Sequence, residues 1–263
     1  MLERRPLALW MLEPEVSVSR GAVRITFSTE NGRVTESEVA AVFEAALGLE
    51  VLVTRSELHS FLVLVRTTEP AAVVRSAEPF VQALPLVHPD DSPFWPDVSV
   101  ALGWQTVPGN EFRGDIGNLE YLAKWKGNQD ASRKLGALLS DLAERHETLN
   151  RAQAVYAVPS SRGLAQLLAR DVANRLRVPT IVGRKAPDAV KQQDSDEEFD
   201  DAQSRIRGRL QVPKVSQGRV LIVDDLYGKG ITIAEVTRCL RAQGVHHVSS
   251  LTATKTARFH RQA

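Results

Sequence analysis

The chain has 263 residues, of which 43% are hydrophobic and 25% charged, with a net charge of +1, and this composition is typical of a globular protein. No apolar run approaches the roughly 20 residues that a membrane helix needs, the first residues do not form a secretory signal, and the single cysteine, Cys239, excludes an internal disulfide or a cysteine-cluster zinc site. We therefore expect a cytoplasmic protein with no membrane partner.

The charges are divided unevenly along the chain. Residues 1–112 carry 8 Arg, no Lys and 15 acidic residues, a net charge of −7, whereas the remainder carries 25 basic and 17 acidic residues, a net charge of +8. Halves of opposite charge can dock on each other, or the basic half can face an anionic ligand. Compositional drift between two unrelated domains explains the same asymmetry, so these interpretations stay open.

The first part of the chain predicts a small α/β domain over residues 1–100. The elements are strand patterns at 22–28, 50–54 and 60–67 and helical patterns at 35–48 and 69–84. Thr35 and Glu38 form a capping box that marks the start of the first helix. The order β-α-β-β-α favours a ferredoxin-like sheet, completed by a strand near 85–88 or 98–102. Its negative charge and lack of Lys argue against nucleic acid as its ligand.

Residues 113–263 predict a second α/β domain, which follows a connection at 88–112 rich in Pro and aromatic residues. Helical spacing over 118–146 predicts one helix, or two that separate near Gly127 and Asn128. Strand patterns then follow at 153–158, 179–183, 219–225 and 247–254, with helical patterns at 164–176 and 231–244. Such alternation is typical of a parallel sheet covered by helices, whose ligands bind at the carboxyl ends of the strands.

Two loops that run from a strand into a helix carry the chemistry of this sheet edge. The first is PSSRG at 159–163, and the second is DDLYGKGIT at 224–232. Free backbone N–H groups at a helix start, the helix dipole, and glycines that allow close approach together bind phosphate. Asp224 and Asp225 can instead accept hydrogen bonds or bind a cation. The two loops predict a ligand with phosphates and vicinal hydroxyls, accompanied by Mg²⁺.

The second loop resembles the binding motif of type I phosphoribosyltransferases. That motif consists of four apolar residues, two acids, two variable residues, a short turn, a glycine, one further residue and a hydroxyl residue. Residues 220–225, Gly230 and Thr232 fit it. The resemblance implies a phosphoribosyltransferase-type parallel sheet flanked by helices in the second domain. It also implies binding of phosphoribosyl pyrophosphate, with Mg²⁺ held through the ligand and possible contacts to the acid pair.

The resemblance also implies roles for individual residues. Asp224 and Asp225 bind the ribose hydroxyls, residues 228–232 bind the 5′-phosphate, and the loop at 160–163 resembles the pyrophosphate loop of the family. The candidate binding residues are Ser160, Ser161, Arg162, Gly163, Asp224, Asp225, Gly228, Lys229, Gly230, Ile231 and Thr232. Solvated loop acids, a surface lysine at 229 and an arginine paired with an acid at 162 are the simpler interpretations.

Within the family the chain is most similar to the ComF-like branch, which is associated with competence for DNA uptake. LAKWKGNQDASRKLGALL at 122–139 resembles the K-aromatic-K-G helix region of that branch, and SRIRGRLQV at 204–212 resembles its basic segment before the last binding strand. The chain departs from the family pattern at Gly228 and Lys229, where hydroxyl residues are usual. It also lacks the cysteine module of the branch, and its long loop at 184–204, which closes over the substrate in these enzymes, is acidic.

The predicted reaction is displacement of pyrophosphate from ribose by a nitrogen nucleophile, through a transition state with oxocarbenium character. No residue is identified as the general base, and the sequence leaves open whether the chain is an enzyme. One alternative is a non-catalytic phosphoribosyl pyrophosphate sensor or adaptor in DNA uptake or DNA metabolism, whose acidic N-terminal domain meets a protein partner. Another is binding of single-stranded DNA by the basic half, which would weaken steeply with salt.

Overall fold

A computed structural model describes most of the chain. The described residues are 7–8, 12–19, 21–28, 35–47, 49–57, 60–73, 84–87, 94–106, 113, 115–185 and 206–256. Within these ranges, every helix is too short or too polar to cross a lipid bilayer.

The described residues form strands and helices that alternate along most of the chain. In chain order the strands are β1 (Leu7–Ala8), β2 (Leu12–Ser19), β3 (Ala22–Ser28), β4 (Leu52–Glu57), β5 (Ser60–Arg66), β6 (Leu84–Val87), β7 (Val98–Trp104), β8 (Ala154–Ala157), β9 (Thr180–Val182), β10 (Arg184–Lys185), β11 (Leu210–Gln211), β12 (Arg219–Tyr227) and β13 (His247–Lys255). The helices are α1 (Glu36–Leu47), α2 (Asp115–Lys126), α3 (Gln129–Arg145), α4 (Leu164–Leu176) and α5 (Ile231–Ala242), with a 3₁₀ turn at Leu149–Arg151.

A large sheet with the order β1-β6-β7-β13-β12-β8-β9 forms the centre of the protein. Its strands from β7 to β9 run parallel to their neighbours, while β6 and β1 add an antiparallel edge. Nearly every side chain of β12 and β13 is buried, as expected for parallel strands covered on both faces. The predicted α/β fold with a parallel sheet flanked by helices is therefore confirmed.

Helices cover both faces of the large sheet, and alternate residues of β12 face different helices. Leu221 and Val223 pack in the core that includes side chains of α3 and α4. Val220 and Ile222 pack in a second core with side chains of α5. Because successive side chains of a strand point to opposite faces, this alternation sends the next two residues, Asp224 and Asp225, toward different helices.

A smaller antiparallel sheet has the order β2-β3-β5-β4 and packs against α1. Strand β5 lies between β3 and β4, which α1 connects, so the first three predicted strands have the split arrangement of a ferredoxin-like sheet. The prediction that a strand near 85–88 or 98–102 completes this sheet is wrong, since β6 and β7 pair within the large sheet instead. Strand β2 takes that place because Gly21, with φ +74, turns it directly into β3.

The segments expected at the ends of the small domain are described only in part. Of the helix predicted at 69–84, residues 70–73 are helical and residues 74–83 lie outside the described residues, whereas Glu69 precedes the helix and Leu84 is already the first residue of β6. The Thr35 hydroxyl hydrogen-bonds that of Ser37 at 3.1 Å, and the Glu38 side chain of the predicted capping box also lies outside the described residues. The division of the chain into domains at 1–100 and 113–263 stays a prediction.

The helical region after residue 113 is two helices, in agreement with one of the two interpretations of the sequence. Gly127 has φ +63 and ends α2, and the Asn128 side chain caps α3 by accepting a hydrogen bond from Ala131 N at 2.9 Å. Helix α3 then buries Leu135 and Leu139 in the core. The break leaves the last turn of α2 beside the carboxyl end of the large sheet, where its side chains contact the two predicted loops.

Candidate functional site

The acid pair lies near the carboxyl end of β12, at the edge where the sheet topology brings the predicted loops together. Both residues are buried, with 8% of Asp224 and 4% of Asp225 exposed as whole residues, so the interpretation as solvated loop acids is wrong. The strand continues past them to Tyr227, although the sequence pattern predicts a loop from 226. Tyr227 is strand because its side chain is fully buried and its backbone pairs with Lys255 of β13.

Asp225 is paired with a lysine that sequence reasoning did not assign to the site. Lys124 Nζ, in the last turn of α2, lies 3.1 Å from Asp225 Oδ1 and 3.6 Å from Glu120 Oε1. Burial opposes the charged form of Lys124, but the attraction of Asp225 and Glu120 outweighs it and raises the lysine pKa. The charge of one of the two adjacent aspartates is therefore compensated within the protein.

Asp224 faces the other side of the sheet and has no such partner within hydrogen-bonding distance among the described side chains. Its Oδ1 accepts a hydrogen bond from Asp225 N at 2.8 Å. Burial, followed by repulsion from Asp225, raises the pKa of Asp224 to about 8, against weaker attraction from Lys124 and Lys185. At neutral pH the folded protein without ligand therefore favours the protonated form of Asp224.

This raised pKa gives a stability prediction with a definite sign. A carboxyl group that binds its proton more tightly in the folded than in the unfolded state destabilises the protein increasingly as pH rises from about 4 toward its folded pKa. Asp224→Asn should raise the free energy of unfolding by about 1–3 kcal/mol at pH 8.5 and change it much less at pH 4. Urea unfolding of both proteins at the two pH values measures the effect.

Asp97, just before the amino end of β7, provides a control of opposite sign. Burial opposes its charge, but its hydrogen bonds from His247, Arg241 and Val248 N prevail and lower its pKa to about 2. The ionised Asp97 carboxylate raises the free energy of unfolding at pH values above the unfolded pKa, and this stabilisation is lost as pH falls toward 2. Asp97→Asn should therefore destabilise the protein at neutral pH. A wild type more stable than Asp224→Asn at pH 8.5 would contradict the account of Asp224.

The second loop is fixed to the sheet beneath it. Gly230 has φ +77 and precedes the first residue of α5, with no side-chain cap at the helix start. Lys255 Nζ, on the neighbouring strand, donates to Gly228 O at 2.9 Å, and the same ammonium lies 5.5 Å from the ring centroid of Tyr227. Lys255 is thus a second lysine at this edge that the sequence motif did not indicate.

The side chains predicted to bind phosphate in this loop differ in accessibility. Gly228, Lys229 and Thr232 are half-buried, and Gly230 is buried. Ile231 packs in the core with 1% exposure, so of this residue only the backbone can serve a ligand. These positions suit recognition of an anion mainly by backbone N–H groups at the start of α5.

The first loop leaves the sheet at the same level as the acid pair. Ala157 of β8 pairs with Val223 of β12, and Val158 N donates to Val223 O at 3.1 Å. Gly163, with φ +75, precedes α4, whose start also lacks a side-chain cap. The Ser160 hydroxyl hydrogen-bonds the side-chain amide of Gln166 at 2.9 Å, while Ser161 is exposed. Two helix starts of the same type therefore flank Asp224 and Asp225.

Helix α2 forms a third side of the site. The Arg162 guanidinium lies 4.2 Å from the ring centroid of Trp125, and its Nη1 lies 3.5 Å from Lys124 O. Trp125 is 53% exposed. Consecutive residues of α2 thus contact both loops, since Lys124 contacts Asp225 and Trp125 contacts Arg162. Lys124 and Trp125 of the K-aromatic-K-G segment therefore lie at the site.

The strands on either side of the long polar segment after β9 form a short antiparallel pair. Arg184 pairs with Gln211 and Lys185 with Leu210, while residues 186–205, including Lys191, lie outside the described residues. Gly208 N donates to Glu235 Oε1 of α5 at 2.9 Å. The returning strand is therefore attached to the helix that starts at the second loop.

The oxygen donors at the site fit a magnesium ion that takes most of its ligands from a second bound molecule and few from the protein. Among the described residues, no group of three or more His, Cys, Asp or Glu side chains is arranged to hold a metal ion. Asp225 Oδ2 is buried and, within the same ranges, has no hydrogen-bond partner. Mg²⁺ prefers six oxygen ligands, commonly one or two carboxylates with phosphates and water. The acid pair can supply such carboxylates, and the remaining ligands would come from the bound molecule.

Comparison with known proteins finds similarity only among solved structures. No protein-family model matches the sequence, and no curated protein matches it. The chain is similar to orotate phosphoribosyltransferase from Aeropyrum pernix at 22% identity and a TM-score of 0.34, over 48% of this chain and 60% of that one. It is similar to adenine phosphoribosyltransferase from Thermoanaerobacter pseudethanolicus at 20% identity and a TM-score of 0.34, over 49% of this chain and 83% of that one.

A third similarity extends over most of the chain. Glutamine phosphoribosylpyrophosphate amidotransferase from B. subtilis aligns at 15% identity and a TM-score of 0.38, over 91% of this chain and 48% of that one. These alignments have identities of 22% or less and TM-scores below 0.5. The fold is therefore assigned from the strand order and register described above. The ComF-like branch stays a prediction from the sequence.

Proposed function

We propose that the chain binds phosphoribosyl pyrophosphate with Mg²⁺ at the carboxyl edge of the large sheet and transfers its phosphoribosyl group to a nitrogen acceptor. One observation carries the proposal. A buried acid pair at the end of β12 is flanked by two helix starts on neighbouring strands, each preceded by a glycine with positive φ and neither capped by a side chain. Anionic groups on both sides of a hydroxyl-bearing sugar match this arrangement.

Each part of the ligand has a matching part of the site. The ribose hydroxyls would donate to Asp224 and Asp225, whose carboxylates are the acceptors at the centre. The 5′-phosphate would accept hydrogen bonds from the N–H groups of residues 228–232, and Lys229 would add a positive charge. The pyrophosphate would lie at the start of α4 with Ser160, Ser161 and Arg162 as donors. The basic character of residues 113–263 suits such a strongly anionic ligand.

The same groups would assist the reaction. As the bond from the anomeric carbon to pyrophosphate breaks, positive charge develops on the ribose and negative charge on the leaving group. The backbone donors at the start of α4 and the Arg162 guanidinium would stabilise the leaving pyrophosphate, and the acid pair would hold the ribose in place. Mg²⁺, when bound, would neutralise phosphate oxygens of the same ligand.

The raised pKa of Asp224 fits a site that is completed by its ligand. Without ligand, ionisation of Asp224 is opposed by burial and by Asp225. Hydroxyl donors and Mg²⁺ favour the carboxylate, so binding would release a proton at neutral pH. Phosphoribosyl pyrophosphate should therefore bind more tightly as pH rises from 6 to 8.5, over the range in which the free protein releases this proton.

The proposal is tested by pyrophosphate release. The wild type is incubated with phosphoribosyl pyrophosphate, Mg²⁺ and a panel of nitrogen acceptors that includes purine bases, orotate and ammonia. We expect release that depends on one acceptor class and on Mg²⁺. Tight binding with no release for any acceptor would instead support the non-catalytic sensor or adaptor. The protein partner, single-stranded DNA binding and cytoplasmic location stay predictions from the sequence.

A further inference from the structure

Lys124 connects helix α2 to the acid pair across a long sequence separation. It lies 101 residues before Asp225, and the distance from its Nζ to Asp225 Oδ1 is 3.1 Å. The side chains are largely withdrawn from solvent, at 16% exposure for Lys124 and 6% for Asp225. A buried ion pair of this kind is costly to form, because both charges lose their hydration. The cost of such a buried pair suggests a role beyond stability.

The lysine is held on its other side by a second buried acid. Glu120 lies one helical turn earlier on α2, with its Oε1 3.6 Å from Lys124 Nζ and its side chain 1% exposed. Gln105 Nε2, from the segment after β7, is 3.4 Å from Glu120 Oε2. The ammonium is therefore held between Glu120 and Asp225, and its position is tied to the helix.

The contact leaves one oxygen of Asp225 available. Lys124 contacts Oδ1, whereas Oδ2 is buried and has no hydrogen-bond partner among the described residues. A buried carboxylate oxygen without a donor costs free energy that a ligand can recover. The ion pair thus orients the Asp225 carboxylate with one oxygen occupied and the other ready to accept.

We propose that Lys124 is a positioning residue for the ribose, which holds the Asp225 carboxylate by one oxygen so that the other accepts a hydrogen bond from a sugar hydroxyl. Glu120 fixes the lysine in this position. The proposal rests on the proposed function, since it assigns the sugar part of the ligand to the acid pair. Because Lys124 acts through Asp225, it should matter for ligands that contain the ribose and not for pyrophosphate alone.

Calorimetric titration of phosphoribosyl pyrophosphate and of inorganic pyrophosphate, both with Mg²⁺, tests this. In Lys124→Met we expect the affinity for phosphoribosyl pyrophosphate to fall by about 10- to 100-fold, the value of a hydrogen bond to a charged group. The affinity for inorganic pyrophosphate should change by less than about threefold. Lys126→Met is the matched control, since Lys126 lies on the same helix, is exposed and does not contact the acid pair.

A double-mutant cycle and a second variant keep the test decisive. The effect of Lys124→Met should vanish in an Asp225→Asn background, because the lysine acts through that carboxylate. If the methionine variant does not fold, Glu120→Gln should still weaken phosphoribosyl pyrophosphate by about 3- to 10-fold and leave pyrophosphate unchanged. The proposal would be overturned if either variant bound phosphoribosyl pyrophosphate with the full wild-type affinity. It would also be overturned if a variant lost affinity equally for phosphoribosyl pyrophosphate and for pyrophosphate. A wild type that binds no phosphoribosyl pyrophosphate would overturn the proposed function as well.

Discussion

Replacing both aspartates, in Asp224→Asn/Asp225→Asn, should weaken binding of phosphoribosyl pyrophosphate by at least about 1,000-fold. The variant loses two charged acceptors for the ribose hydroxyls, each worth about 1.5–3 kcal/mol, and the carboxylates that can bind Mg²⁺. Asparagine has nearly the same shape, so the sheet should fold as before. Calorimetric titration with Mg²⁺ and phosphoribosyl pyrophosphate measures the loss.

A control variant and a check of folding make this result specific. Asp141→Asn removes an acid from the surface of α3, where Asp141 pairs with Arg145, and should leave binding unchanged. Lys124 would lose its ionic partner in the double variant, so circular dichroism should first verify that the variant is folded. Binding within threefold of the wild type by a folded double variant would contradict the assignment of the acid pair.

Gly230→Ala should lower both the stability of the protein and its affinity for the ligand. Gly230 has φ +77, and a Cβ there would lie 2.6 Å from Cζ of Tyr227 and 3.1 Å from Cζ3 of Trp95. Both rings are nearly fully buried, so neither can move aside without disturbing the core. We expect the free energy of unfolding to fall by about 2–4 kcal/mol, and the affinity by about tenfold or more, because the backbone donors of the loop shift.

Two other glycines separate the causes of this effect. A Cβ added at Gly228 would have no neighbouring atom within 4 Å, and this residue does not have a positive φ, so Gly228→Ala should change stability by less than about 0.5 kcal/mol. Gly163 has φ +75 and equally open space, so Gly163→Ala should cost only the conformational strain, about 1 kcal/mol. Urea unfolding in which Gly230→Ala loses no more stability than Gly163→Ala would show that the close contacts do not matter.

The parts of the fold that depend on local patterns could be predicted from the sequence. Alternating strand and helix patterns after residue 153 indicate the parallel sheet, and the Gly127-Asn128 pair marks a possible helix break. Strand pairing over long distances could not be predicted in this way. The apolar strand β7 fits a sheet covered on both faces, with Val100 and Ala101 fully buried, but only the folded chain shows which of two sheets it joins.

The candidate site could be predicted as far as its residues are close in sequence. The acids, the glycines and the helix start of the second loop lie within one short segment, so a motif could identify them. Lys124 and Lys255 reach the same edge from α2 and β13, and nothing in their local sequence shows that they contact Asp225 or Gly228. An argument from electrostatics, rather than a sequence motif, could have identified Lys124. Two adjacent buried carboxylates need a nearby cation, and the lysine-rich turn of α2 was a candidate for it.

The central claim is that one ligand engages both loops and the acid pair. Its most direct test is calorimetric titration of the wild type, with Mg²⁺ present, by phosphoribosyl pyrophosphate, ribose 5-phosphate and inorganic pyrophosphate in turn. We predict saturable binding of phosphoribosyl pyrophosphate at one site, at least about tenfold tighter than either of the smaller molecules, since only this ligand contacts all three parts. Binding of phosphoribosyl pyrophosphate no tighter than that of pyrophosphate, or no binding at all, would contradict the account.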